Sequence, residues 1–228
     1  MSPAPAINLL LLGFLGWAFW MPCGGREWWQ TRQAAEALPV DPAFLRLSVL
    51  EEMALPLADR FDQPLGSEHA ALTYNAQPFR INRHLGDDLN GIGGGNSDRG
   101  DPVYASAAGR VVYSGNPGGG WGNMIILAHR LPSSSSKGSP RTCQTVYAHL
   151  ETRWAKTGDF VPRGLPLGTV GTADGLYPAH LHFEIREGVF INPAQGYADS
   201  PLNRLSPGPF IRERRGAPND QLNPAPKL

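Results

Sequence analysis

His180-Leu181-His182-Phe183-Glu184-Ile185-Arg186 is the stretch whose residue types and spacing can do chemistry. Phe183 and Ile185 alternate with polar residues, which reads as a strand. Residues i and i+2 of a strand point to the same face, about 6.7 Å apart. His180 and His182 therefore project together, so that one imidazole can bind a metal ion while the other reaches the reacting group. A solvated strand face carrying two histidines is the plain alternative. The rest of the chain weighs against it. His84-Leu85-Gly86-Asp87-Asp88 places a histidine and two carboxylates in one short loop, and His149 stands near the end of another strand pattern. A catalytic zinc takes three ligands from His, Asp or Glu and keeps a fourth position open. His84, one of Asp87 and Asp88, and one of His180 and His182 supply that set. The two remaining histidines can take a proton from water, steady an oxyanion or protonate a leaving amine. Zinc brings the pKa of a bound water down to ~7, so these parts suit metal-assisted hydrolysis of an amide. A structural zinc would fill all four positions, and neither Cys23, beside the apolar leader, nor Cys143, in a strand pattern, is available for it.

The elements that must hold these residues are strands. The chain has 228 residues, with 27 Gly, 22 Pro and only 18% charged residues, which favours a turn-rich β protein over a helical bundle. Its formal net charge is zero, so no nucleic-acid partner is expected. Val103–Tyr104, Arg110–Tyr113, Met124–Ala128 and Cys143–Leu150 read as strands. Gly91–Gly100 is too rich in glycine for regular structure, and Leu131–Arg141, with four consecutive serines, reads as a flexible loop. Gly158-Asp159-Phe160-Val161 echoes Gly100-Asp101-Pro102-Val103, a weak internal repeat that suggests two similar β units. His129 closes an apolar strand and reads as a hydrogen-bonded core or edge residue, His69 as solvated, and Cys143 as a buried, inert thiol.

Residues 1–25 carry no charged side chain, and Leu9–Met21 is an unbroken run of apolar residues and glycine. That run is shorter than the ~20 residues of a membrane span. It reads as a signal peptide or an N-terminal membrane anchor, with membrane association through residues 7–22. Trp20-Met21-Pro22 lacks the small residues that precede a lipidated cysteine at Cys23. Residues 26–74 are read as a linker or packing segment, with Asp41-Pro42 as a helix start and a short helix to about Ala54. Residues 196–228, rich in proline, are expected to be an extended or disordered tail.

His84-x3-Asp88, Tyr147-Ala148-His149-Leu150 and His180-x-His182, in this order, resemble the M23 family of zinc metallopeptidases, the LytM or lysostaphin type. Gly100-Asp101-Pro102-Val103-Tyr104-Ala105, Gly158-Asp159-Phe160-Val161, Gly168-x-Val170-Gly171 and Phe183-Glu184-Ile185-Arg186 are similar to the segments flanking those motifs. The likeness covers residues 75–195. It implies a mainly β fold, an antiparallel sheet with a groove of the duplicated-hybrid-motif kind, plus short N-terminal helical segments. It implies one catalytic Zn2+ held by His84, Asp88 and His182, with His149 and His180 as the catalytic pair. The implied substrate is a cross-link or stem peptide of bacterial peptidoglycan, outside the cytoplasm, which agrees with the leader and with an exported protein of the periplasm or cell envelope. A metal-free relative that binds the wall and activates another hydrolase is the main alternative, but all five positions are filled here. A lipoyl- or biotin-like carrier needs a lysine at a hairpin tip, and residues 100–130 contain none.

Overall fold

The computed structural model describes residues 45–67, 69–133, 141–193 and 195–216. The apolar leader, Cys23, the Asp41-Pro42 helix start and most of the serine loop lie outside the described residues.

One antiparallel sheet organises the chain. Its strands are β1 (Thr73–Gln77), β2 (Asp87–Gly91), β3 (Pro102–Tyr104), β4 (Gly109–Gly115), β5 (Asn123–Leu131), β6 (Arg141–Arg153), β7 (Phe160–Val161), β8 (Pro166–Val170), β9 (Leu181–Glu187) and β10 (Arg204–Leu205). The main path runs β1-β2-β9-β6-β5-β4-β7, with β10 beside β9 and with β8 joining β3 to β6. The longest strand, β6, is the spine. Its first part pairs with β5 on one edge and β9 on the other, and its last residues pair with β8. The described residues are thus mainly β, as the composition and the family resemblance lead one to expect.

Period-two alternation divides the central strands between two apolar layers. Ile125, Leu127, Cys143, Tyr147, Leu181, Phe183 and Ile185 face one layer, closed by Phe61, Leu65 and Val103. Met124, Ile126, Ala128, Val146 and Ala148 face the other, closed by Leu47, Leu55, Trp121 and Ile191. Cys143 is fully buried, and burial pushes its thiol up to about 12.

The helices are short. α1 (Val49–Ala54) starts at Ser48, whose hydroxyl accepts from Glu51 N while Glu51 answers with its carboxylate, a reciprocal cap. α2 (Pro207–Arg214) begins with proline at its first position, where no hydrogen bond is lost. Residues 196–216 therefore depart from the extended or disordered tail expected over 196–228, and residues 217–228 lie outside the described residues. Phe210 and Ile211 are buried, with the Phe210 ring edge-on to Phe61 at 5.0 Å, and Arg204 is buried beside β9. Two adjacent apolar residues can anchor a helix of about two turns without producing any periodic pattern. No helix among the described residues is long and apolar enough to cross a membrane.

Candidate metal centre

The sheet register assembles the site. Asp88 on β2 lies opposite His182 on β9, which lies opposite Ala148 on β6. Directly opposed residues share a face, so Asp88 and His182 meet although 94 residues separate them. Asp87 points elsewhere and accepts a hydrogen bond from Phe79 N at 2.8 Å. His84 follows a tight turn (Ile81–Arg83) and is tied by a backbone bridge to Tyr197. Gly86 must be glycine here, because a Cβ would lie 2.7 Å from Phe183 O and 2.8 Å from the His182 ring.

Three donor atoms converge. His84 Nε2 lies 2.9 Å from His182 Nδ1 and 3.2 Å from Asp88 Oδ1, and His182 Nδ1 lies 3.0 Å from the same oxygen. Only these three residues form such a cluster among the described residues. The outer nitrogen of each imidazole faces an acceptor. His84 Nδ1 donates to Gln77 O at 3.0 Å, and His182 Nε2 donates to Glu184 Oε1 at 3.1 Å. With those protons committed, both inner nitrogens present lone pairs toward each other and toward a carboxylate oxygen. Such a set repels itself unless a cation or an extra proton sits among the three. Two neutral imidazoles and a carboxylate are zinc-type donors, so the residues fit that ion.

Charges shape this centre. Burial opposes ionisation of Asp88, but when the extra proton sits on the inner nitrogen of His182 or His84, the hydrogen bond it makes to Asp88 and the positive charge outweigh burial and hold the carboxyl far below its usual range. Burial likewise disfavours a charged His182, yet the hydrogen bonds to Asp88 and Glu184 and their negative charges raise it to about 9. The field that draws a proton to this spot also draws a metal cation.

His149 and His180 stand beside the cluster. His180 precedes β9, pairs with Gly171, and brings Nε2 to 3.7 Å from Asp88 Oδ1. Its Nδ1 donates to Pro178 O at 2.8 Å. His149 sits where β6 leaves β9 for β8, with φ of 63°, a left-handed conformation rare for a non-glycine residue. The resulting kink turns its ring to 4.7 Å from that of His180, and its Nδ1 donates to Trp121 O at 3.1 Å. With Nδ1 committed to a carbonyl in both residues, Nε2 is the nitrogen each has left for proton transfer, and that of His180 lies beside Asp88. Burial, then the neighbouring His180 and His182, hold the His149 imidazole well below its usual value, so it stays neutral and able to accept a proton. Strain of this kind persists only where packing over-determines it, and it clusters at functional sites.

The model of peptidase family M23 matches residues 90–193, a span that includes His149, His180 and His182 and leaves out His84 and Asp88. Lipoprotein NlpD of Yersinia enterocolitica is 38% identical over 96 residues, which cover 42% of this chain and 88% of that protein. The chain belongs to peptidase family M23. Murein hydrolase activator NlpD of Escherichia coli K12 is 36% identical over 96 residues, and the chain spans only 22% of that relative's length. Among solved structures, the catalytic domain of the peptidase lysostaphin from Staphylococcus simulans is 25% identical, covers 61% of this chain and 90% of its own, and has a TM-score of 0.43.

This M23 domain brings all five sequence-predicted residues into one site, His84, Asp88, His149, His180 and His182. It also adds residues that the sequence reading did not single out for a role. Trp121 lies edge-on to His182 at 5.2 Å, Tyr177 lies 5.1 Å from His149, and Tyr197 lies 5.2 Å from His84. The glycine-rich loop is pinned beside His180, because Asn96 Oδ1 accepts from Ala179 N and Asn90 Nδ2 donates to Ala179 O. Glu184 and Arg186 had a legible signal, since they continue the alternation of His180 and His182 on one strand face. Trp121, Tyr177 and Tyr197 carried none, being placed by loops.

Proposed function

We propose that this M23 domain is a zinc-dependent endopeptidase that hydrolyses peptide bonds in the cross-links or stem peptides of bacterial peptidoglycan, in an exported protein of the cell envelope. The observation that carries the reading is the convergence of three donor atoms, His84 Nε2, His182 Nδ1 and Asp88 Oδ1, beside two further histidines whose Nδ1 atoms are held by backbone carbonyls. His84, Asp88 and His182 would hold the ion. Zinc supplies Lewis-acid polarisation when bound. His149 and His180 divide the proton work. One Nε2 takes the proton of the attacking water, and a protonated Nε2 delivers one to the leaving amine. The carbonyls of Trp121 and Pro178 hold each Nδ1–H and so keep each Nε2 aimed at the reacting atoms.

A second reading has a specific observation behind it, the relative named as a murein hydrolase activator. On that reading the domain binds the wall and stimulates another enzyme without cutting. Purified protein incubated with peptidoglycan separates the two when zinc is present, stripped by chelator and restored. Zinc-dependent release of fragments, with masses that identify a cut peptide bond, is the expected outcome. Folded, zinc-loaded protein that releases nothing, yet stimulates a separate hydrolase, would replace this reading with the second.

A further inference from the structure

Behind the metal centre, on the side away from Asp88, lies a buried charge cluster. Glu184 is fully buried. Its Oε1 faces His182 Nε2, and its Oε2 accepts from Arg186 Nε at 2.5 Å and from Arg204 Nε at 3.3 Å. Both arginines are buried too. Arg186 also donates to the carbonyls of Asn192 and Pro193, and Arg204 to the carbonyl of Gln195. Arg204 comes from β10, beyond the 90–193 span of the family match. Buried ion clusters are seldom retained for stability, since well-packed apolar residues often serve as well. A role in orientation accounts for this one better.

We infer that Glu184, held by Arg186 and by Arg204 of the C-terminal segment, is a positioning residue that fixes the tautomer of His182, so that residues beyond 193 belong to the metal centre. The inference rests on the zinc reading above. The arginines can only donate and occupy Oε2, so Oε1 is left as a pure acceptor. His182 must then carry its proton on Nε2 and turn the Nδ1 lone pair toward His84 and Asp88. Carboxylates that hold the outer nitrogen of a metal-binding histidine commonly matter 10- to 100-fold for metal affinity.

Glu184→Gln tests the device directly. The two guanidinium groups demand an acceptor, so the amide oxygen stays with them and the amide NH2 faces His182 Nε2. That arrangement favours the opposite tautomer, with the proton on Nδ1. Zinc affinity would be measured on the full chain by competition with a chromophoric chelator, alongside circular dichroism of the stripped protein. Zinc binding about 10- to 100-fold weaker with the spectrum unchanged is the expected result. Arg204→Met, which removes the one of the two donors that lies outside the family match, should weaken zinc binding by a smaller factor. Nitrogen-detected NMR of the zinc-loaded wild-type protein reads the tautomer without any variant, and a protonated Nε2 on His182 is expected. A free Nε2 there, or wild-type zinc affinity in folded Glu184→Gln, would overturn the inference and leave the zinc reading standing. A wild-type protein that binds no zinc would overturn both.

Discussion

His129 and His182 are both buried in the same sheet, on β5 and β9, the two strands that flank β6, yet they face opposite layers and behave in opposite ways. Around His129 every hydrogen-bonding atom is answered. Nδ1 donates to Ala108 O at 2.7 Å, and Nε2 accepts from the Thr145 hydroxyl at 2.8 Å. Its partners are neutral, and burial pulls it down to about 4 against the opposing carbonyl bond. Around His182 one nitrogen is answered by Glu184, and the other faces two lone pairs. Burial acts there as well, but Asp88 and Glu184 outweigh it and raise the group to about 9. Burial therefore does not mark a functional histidine. A ring nitrogen left facing other acceptors does.

The strongest attempt to break this comparison is to delete each ring. His182→Ala should weaken zinc binding by more than about 100-fold, beyond the loss of an outer hydrogen-bond partner, and abolish hydrolysis. His129→Ala should lower stability while leaving the zinc content of the folded protein intact. Equilibrium dialysis against a chelator measures both, and equal zinc retention in the two variants would erase the distinction. His149→Ala sharpens it from the other side. Its ring belongs to the site without belonging to the converging set, so turnover should fall about 10²- to 10⁴-fold with zinc still bound. Zinc lost together with activity would make His149 a ligand rather than a proton carrier.

How far the sequence foretold this contrast depends on how local each feature is. The shared face of His180 and His182 follows from a period of two and was legible at once. His129 as a hydrogen-bonded core residue was legible from the apolar run Met124–Ala128 that it follows, although β5 continues past it to Leu131. The meeting of Asp88 with His182 depends on the pairing register of two strands far apart in the chain, which no local pattern reports. Spacing left Asp87 and Asp88 equal, and family resemblance alone favoured Asp88. The turn at His149 was illegible for another reason. A histidine at φ 63° contradicts its own preference and is imposed by the strands that β6 must serve in succession. Arg204 reaches Glu184 from a strand of two residues, too short to leave a trace in the sequence.

A smaller effect concerns acidity, and its sign follows from the lowered His129. Above an unfolded pKa of about 6.5, His129 is neutral in both states and its contribution is complete. As pH falls from there toward about 4, the unfolded chain gains a proton that the folded protein refuses. Stability should drop by about 3 kcal/mol over that interval and level off below it. Denaturant unfolding of chelator-treated protein, compared with His129→Gln at each pH, isolates this contribution because the other titrating groups cancel in the difference. A flat difference between pH 7 and pH 4 would mean that His129 is solvated or charged in the fold, and the contrast with His182 would fail.

The smallest expected effect comes from Thr145→Val, which keeps the shape of the side chain but removes the hydroxyl that answers His129 Nε2. An imidazole nitrogen then stays buried without a donor, at about 1–3 kcal/mol, and thermal or denaturant unfolding measures the loss. Zinc affinity should not change, because Thr145 lies on the face of β6 turned away from Asp88 and His182. If zinc binding weakened as well, the two layers of the sheet would be coupled through β6, and the answered and unanswered histidines could no longer be treated as independent regions of the molecule.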